Sequence, residues 1–142
     1  MIVLDTTVLV YAVGTEHAYR GPCQDLIAAV TEGAVHATTT AEVIQEFCHI
    51  RSRRRSRSDA VVLAQDFAEL LSPLQAVDEQ RLSSGLDLFA TQPSLGSFDA
   101  VLAAVARETG ATSLVSADRA FSGIPRLRHV LPDRAGVAGL LE

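Results

Sequence analysis

The stretch from Gly96 to Phe121 limits the folds open to this chain more than any other. It reads GSFDAVLAAVARETGATSLVSADRAF: an apolar stripe at helical spacing, a break, a short apolar run, and an acid just beyond it. Phe98, Val101, Leu102, Val105 and Ala106 fall at i, i+3, i+4, i+7 and i+8, which predicts one buried face of a helix. Ser97 stands where an N-cap is expected, and Glu108-Thr109-Gly110 ends the pattern, with Gly110 past the last turn. Asp99 then lies in the first turn, one position off the stripe. Thr112 to Ser116 reads as a short buried strand, and Asp118 follows its end. A helix, a tight turn, a strand and then an acid is how an open parallel sheet presents a site along its carboxyl edge.

The N-terminus repeats the theme. Ile2-Val3-Leu4 is an apolar run ending at Asp5, and Thr6-Thr7 opens a short helix that stops near Gly14. A loop over 15–22, containing Gly21-Pro22, leads to a helix from about Cys23 to Thr31, a strand over Val35 to Thr38 and a helix from about Thr40 to Ile50. Residues 59–71 predict a helix with Val62, Leu63, Phe67, Leu70 and Leu71 inward. Pro73 breaks the chain before a short strand over Leu74 to Val77, and Asp78 caps a helix over 79–90. A strand over 128–131 and a helix over 133–142 finish the pattern. Strands alternating with helices predict an α/β fold with a mainly parallel central sheet and right-handed crossovers. A length of 142 residues suits one domain, spanning 1–142, with a core of its own.

The net charge is −5, and all 12 basic residues are arginines. Such a chain is not a general polyanion binder, so any attraction for nucleic acid must be local or must come through a metal that neutralises the acids. No apolar run approaches the roughly 18 residues of a membrane span, and the N-terminus lacks the features of a signal peptide. A cytoplasmic location without membrane contact is the expectation. Cys23 and Cys48 have neither metal nor redox spacing and read as buried reduced thiols. His17, His36, His49 and His129 are scattered, with no pair set for acid–base cleavage, and read as surface or packing residues.

Each candidate acid also has a structural duty open to it. Asp5 could cap the helix that follows, Asp99 could complement the positive end of its helix, and Asp118 could cap the turn Arg119-Ala120-Phe121. On the third helix Thr39 as N-cap with Glu42 three positions on makes a capping box, which employs Glu42 structurally. Glu46 falls within the stripe of Val43, Phe47 and Ile50, and an ionised carboxylate on a buried face is costly unless something pairs with it. Glu46 is therefore the acid expected to function on this helix, with Glu42 as the alternative. Two acids end strands and two start or line helices beside them, so all can meet at one sheet edge. Carboxylates brought together resist ionising together. A hard divalent cation, Mg²⁺ or Mn²⁺, removes that conflict.

The segments IVLDTTVLVY, AEVIQEF, FDAVLAAVA and LVSADRAF resemble, in this order, the four acidic motifs of PIN-domain ribonucleases. Order, spacing and length are most similar to the VapC toxins of bacterial toxin–antitoxin pairs, from residue 1 to about residue 131. The resemblance implies a PIN-like three-layer sandwich, a central parallel sheet flanked by helices. It makes Asp5, Glu46, Asp99 and Asp118 the acids of an Mg²⁺ or Mn²⁺ site, with Asp5 and Asp99 the firmest ligands. Thr6 and Ser116 match hydroxyl residues that position water or phosphate. It further implies an endoribonuclease that cleaves tRNA or rRNA with metal-activated water, a homodimer, and a VapB-type antitoxin that covers the acidic groove. Apolar helices such as those at 23–31 and 59–71 could pair, and the sequence does not single out which surface does so.

Arg51 to Arg57 carries five arginines in seven residues, and two readings stay open. Cations complement the negative end of a helix; equally, Arg53, Arg54 and Arg55 could clamp phosphate beside the acids. Other functions remain as alternatives: an RNA-processing or DNA nuclease outside a toxin pair, or a PIN fold kept as a binding module. A phosphatase or receiver fits poorly, because Thr7 stands where the phosphatase signature needs a second Asp and the chain has no lysine.

Overall fold

The apolar runs at 2–4 and 113–115 lie side by side at the centre of a four-stranded parallel sheet. The computed structural model describes residues 1–142. The strands are β1 (Ile2–Leu4), β2 (Ala37–Thr38), β3 (Ser113–Val115) and β4 (His129–Val130), in the order β2-β1-β3-β4, each pair parallel. Around them are α1 (Thr6–Val13), α2 (Arg20–Thr31), α3 (Ala41–Arg54), α4 (Arg57–Leu70), α5 (Glu79–Thr91), α6 (Ser97–Glu108) and α7 (Arg134–Leu141), with a 3-10 turn at Arg119–Phe121. Every residue of β1 and β3 is buried, as helices on both faces of a parallel sheet require. Val3, Leu4, Leu114 and Val115 form the centre of the core together with Val8, Leu9, Leu26 and Phe121. Phe47 of α3 meets Phe67 of α4 edge to face, with ring centroids 5.1 Å apart.

The chain leaves β1 toward β2 on one side and later returns to β3 on the other. Open parallel sheets form their crevice beyond the carboxyl ends of the strands at such a reversal. Asp5 directly follows β1, and Ser116 and Asp118 follow β3.

Several expected boundaries move, each for a local reason. Helix α2 starts at Arg20 rather than Cys23 and takes in Gly21-Pro22. Pro22 is its third residue, where the N–H that proline lacks would have had no helical partner. Helix α3 continues to Arg54, and its N-cap is Thr40, whose Oγ1 accepts from the Val43 N–H at 3.2 Å. Thr39 is instead buried and donates to the Leu4 carbonyl at 2.7 Å. Glu42 is thereby the second helical residue, and the expected capping box is absent. The N-cap of α6 is Gly96, not Ser97, and no side chain caps that helix.

The buried faces of α4 and α6 also turn. Val62 is 57% exposed, and α4 faces inward along Ala60, Ala64 and Phe67, with Leu71 just past its end. Phe98 is 78% exposed, while Ala100, Ala103 and Ala104 are buried. Alanine is a weak signal in a hydrophobic pattern, yet its small side chain lets helices approach closely. Leu74 to Val77 form no strand; a single bridge joins Thr40 and Gln75. Cys23 is buried and Cys48 only half-buried, both as free thiols. Burial pushes the Cys23 thiol up to about 12, so it stays protonated and inert.

Other expectations stand as read. Asp78 caps α5, accepting from the Arg81 N–H at 2.9 Å, and Gly110 follows α6 with φ +68°, a conformation that favours glycine. The pair α5–α6 is unusually close. A Cβ on Gly85 would stand 2.6 Å from the Cα of Val101. At the far end of α6, Glu108 accepts from Ser84 Oγ at 3.0 Å and pairs with Arg81 at 3.4 Å.

Candidate active site

Asp5 is buried although it carries a carboxylate, and its surroundings explain how. It caps α1, and Oδ2 accepts from the Ser116 hydroxyl at 2.7 Å, the Thr7 hydroxyl at 2.9 Å and the Thr7 N–H at 3.4 Å. None of these bonds uses Oδ1. One oxygen is thus held by the protein while the other is left for a ligand, beside a cleft of about 250 Å³.

That cleft has two unlike walls. Asp5, Thr6, Glu42, Glu46 and Asp99 supply carboxylates and a hydroxyl; Val77, Leu82, Leu86, Phe98 and Val101 supply apolar surface. Thr6 is buried at the start of α1 and makes no side-chain hydrogen bond within the protein. Asp99, half-buried in the first turn of α6, carries the clearest electrostatic mark. Burial first, then the charges of Asp5, Asp118 and Glu46, push its carboxyl up to about 7. Four acids from α3, α6 and the ends of β1 and β3 therefore share one field.

Glu46 joins that field, but not from the buried position expected of it. It is exposed, because on α3 only the line through Val43 and Phe47 reaches the core and Glu46 stands one step round, at the cleft. Glu42 lines the same cleft one turn earlier and is not among the charges acting on Asp99. Asp118 lies outside the cleft lining and is exposed; its Oδ1 caps the 3-10 turn by accepting from the Ala120 N–H at 2.9 Å. Its structural duty and its electrostatic reach to Asp99 coexist.

Ser116 ties the edge together. It is wholly buried; its hydroxyl donates to Asp5 and accepts from the Asp118 N–H at 3.0 Å. Thr7, which the sequence offered only as a helix opener, bridges the same two loops. Its hydroxyl donates to Asp5 and accepts from the Ala117 N–H at 2.9 Å. The available signal was a hydroxyl two residues after a helix-capping Asp, a spacing that folds back onto the carboxylate.

The arginine run divides. Arg51 pairs with Asp59 at 2.6 Å and donates to the Val13 carbonyl at 3.0 Å, a structural use. Arg53, Arg54 and Arg55 end α3, exposed and without ion pairs, and none lines the cleft. Arg53 is seven residues beyond Glu46, about 10 Å along the helix axis.

As the side chains stand, no three of His, Cys, Asp or Glu gather closely enough to enclose a metal ion. The donors nevertheless suit one kind of ion. They are all carboxylate oxygens, Asp5 Oδ1 is free, and burial together with the neighbouring acids pushes the Asp99 carboxyl up. Mg²⁺ keeps several waters and uses one or two carboxylates rather than a closed protein cage, and Asp5 with Asp99 would be that pair.

The PIN domain matches residues 2–127. The chain is 54% identical to Ribonuclease VapC7 of Mycobacterium tuberculosis, over 99% of this chain and 98% of that protein. It is 30% identical to Ribonuclease VapC13 of the same species, over 92% of this chain and 99% of that one. Among solved structures, VapC20 of M. tuberculosis, described as a sarcin–ricin loop cleaving toxin, superposes with a TM-score of 0.72 at 19% identity, covering 90% of this chain and 99% of its own. The VapBC2 complex of Rickettsia felis bound to a promoter DNA fragment gives 0.71 at 18% identity, covering 92% and 98%. Those two likenesses concern the fold.

Proposed function

The chain belongs to the PIN-domain family, among its VapC ribonucleases, and from that premise we propose that it is an Mg²⁺- or Mn²⁺-dependent endoribonuclease, the toxin of a toxin–antitoxin pair. One observation carries the reading: Asp5, Glu46 and Asp99 line one cleft, where burial and the neighbouring acids push the Asp99 carboxyl up to about 7. Crowding of this kind disfavours folding and persists where a site uses it. A divalent cation, when bound, supplies Lewis acidity to water and to the phosphate.

The remaining work belongs to the chain's own groups. Thr7 and Ser116 fix Asp5 Oδ2 and so orient Oδ1. Asp99 brings a carboxylate across the cleft, and Glu46 at its rim can hold the proton that water gives up. Asp118 adds negative charge, the Thr6 hydroxyl stands in the cleft wall beside the reacting phosphate, Ser116 serves only through Asp5 because its hydroxyl is buried and engaged, and Arg53 to Arg55 hold phosphates further along the strand. Attack by water leaves a 5′-phosphate and a 3′-hydroxyl; no histidine lines the cleft to assist the ribose hydroxyl instead.

The substrate is RNA, as the ribonuclease names of the relatives suggest, and a tRNA or rRNA loop fits the description given to VapC20. The VapBC2 complex supports a VapB-type antitoxin as partner. For the homodimer, α4 keeps Val61 and Val62 at the surface, whereas α2 turns Leu26 and Val30 inward. No helix is long and apolar enough to cross a membrane.

The test is incubation of the purified protein with total RNA in Mg²⁺ or EDTA, followed by mapping of new 5′ ends. A few discrete sites bearing 5′-phosphate, present only with the cation, are expected. Identical cleavage in EDTA would sink the metal assignment.

The arginines have a separate measurement. Changing Arg53, Arg54 and Arg55 together to Ala should weaken RNA binding and lower the slope of log K against log salt by about 2, at roughly 0.7 for each phosphate no longer neutralised. Metal affinity should not move. An unchanged slope assigns the run to the end of α3 alone.

A further inference from the structure

The Ser116 carbonyl is held at a point where the sheet itself cannot hold it. Strands β3 and β4 pair with Leu114 opposite His129 and Val115 opposite Val130. Along this ladder the Leu114 N–H donates to the Arg128 carbonyl at 2.9 Å, and the Ser116 N–H to the Val130 carbonyl at 3.1 Å. In a parallel ladder the next bond returns from the N–H two residues further along the partner. For the Ser116 carbonyl that donor would be residue 132, and residue 132 is Pro132, which has no N–H. A buried carbonyl without a donor is costly.

A side chain fills the gap. His129 Nε2 lies 2.8 Å from the Ser116 carbonyl oxygen, and Nδ1 lies 2.9 Å from Ser122 Oγ. A carbonyl can only accept, so Nε2 carries a proton and donates it, while Nδ1 shares a hydrogen bond with the Ser122 hydroxyl. We propose that His129 is a positioning residue for the nuclease site, supplying from its side chain the donor that Pro132 removes from the β3–β4 ladder.

The peptide between Ser116 and Ala117 is rigid and planar, and it is gripped on both sides. His129 holds its carbonyl, and the Thr7 hydroxyl accepts its N–H. On one side of this peptide is the Ser116 hydroxyl that orients Asp5; on the other, the chain runs directly to Asp118. If the carbonyl loses its donor, the peptide can turn, and both acids lose alignment together. Misplacement of about 1 Å at a reacting centre can cost a hundredfold in rate.

For its kinetic readout the proposal rests on the nuclease reading. His129→Ala should lower kcat about tenfold while KM for RNA stays within about twofold, because His129 does not line the cleft. His129→Gln, with an amide N–H at comparable reach, should recover most of the loss. Pro132→Ala restores a main-chain N–H, so His129→Ala combined with Pro132→Ala should be faster than His129→Ala alone.

A second measurement needs no RNA. Exchange of the Ala117 amide hydrogen in the 142-residue chain should speed up about tenfold in His129→Ala and slow again in the double variant, and ¹⁵N spectra of the wild type should show a proton on Nε2 of His129. Unchanged Ala117 exchange, or a double variant no better than His129→Ala in both measurements, overturns the proposal. A wild type that cleaves no RNA overturns the nuclease reading, and exchange still decides the role of His129.

Discussion

Replacing Asp99 with asparagine should lower kcat for RNA by about a thousandfold or more, as loss of a charged group at a metal-assisted phosphoryl centre does, and should make the metal-free protein more stable at pH 8. The two effects have one cause. The Asp99 carboxyl titrates near 7 in the folded chain, against 3.8 for a free carboxyl, raised by burial and by Asp5, Asp118 and Glu46. A raised folded value means that the folded state keeps the proton longer than the unfolded one. Its contribution to stability is fully present below about pH 4 and is lost as pH rises through about 7.

Three pH units correspond to roughly 4 kcal/mol at most, and partial exposure of the group reduces this to about 1–2 kcal/mol. Asparagine keeps the shape and removes the charge, so thermal unfolding in EDTA at pH 8 should shift upward by several degrees, and the difference should shrink toward pH 4. Mg²⁺ should stabilise the wild type and leave Asp99→Asn nearly unmoved. A variant less stable than wild type at pH 8 would mean that the four acids do not crowd one another.

Gly85→Ala should have the largest effect of any single added methyl group in α5. Helix propensity alone favours alanine by about 1 kcal/mol. Against that, the new Cβ would meet the Val101 Cα at 2.6 Å and its Cγ2 at the same distance. Main chain cannot swing aside as a side chain does, and overpacking of this kind costs about 1–3 kcal/mol even where some relaxation is possible. The clash wins, with net destabilisation of about 1–2 kcal/mol. Because Val101 is two residues from Asp99 on α6, kcat should fall as well. Gly139→Ala is the control, since nothing lies within 4 Å of its Cβ position; it should be neutral or slightly stabilising in the same denaturant titration.

Much of the acidic edge could be read from the chain because it depends on short-range pattern. Apolar runs that end in Asp5 and precede Asp118 mark strands buried on both faces, and Asp78 and Gly110 sit at helix ends whose chemistry is local. The misreadings have equally physical origins. In α4 and α6 the inward faces are built on alanines, so Val62 and Phe98 dominated the pattern and then proved exposed. Three consecutive threonines, Thr38, Thr39 and Thr40, are alike as caps on paper; the pull of the Leu4 carbonyl on Thr39 selects Thr40. The stripe that predicts a buried Glu46 is, in the fold, only two residues wide, Val43 and Phe47. Thr7 and His129 act through partners on other elements, in the case of Thr7 110 positions away, and such bonds leave no periodic trace.

The outer strands of the sheet, β2 and β4, are each two residues long. A free margin that short offers almost no template for an incoming strand, a common safeguard against edge-to-edge aggregation. Lasting association, whether with a second copy or with an unrelated chain, therefore falls to side chains projecting from the helical exterior. Substitutions on that exterior should govern assembly, while the sheet margins stay indifferent to it.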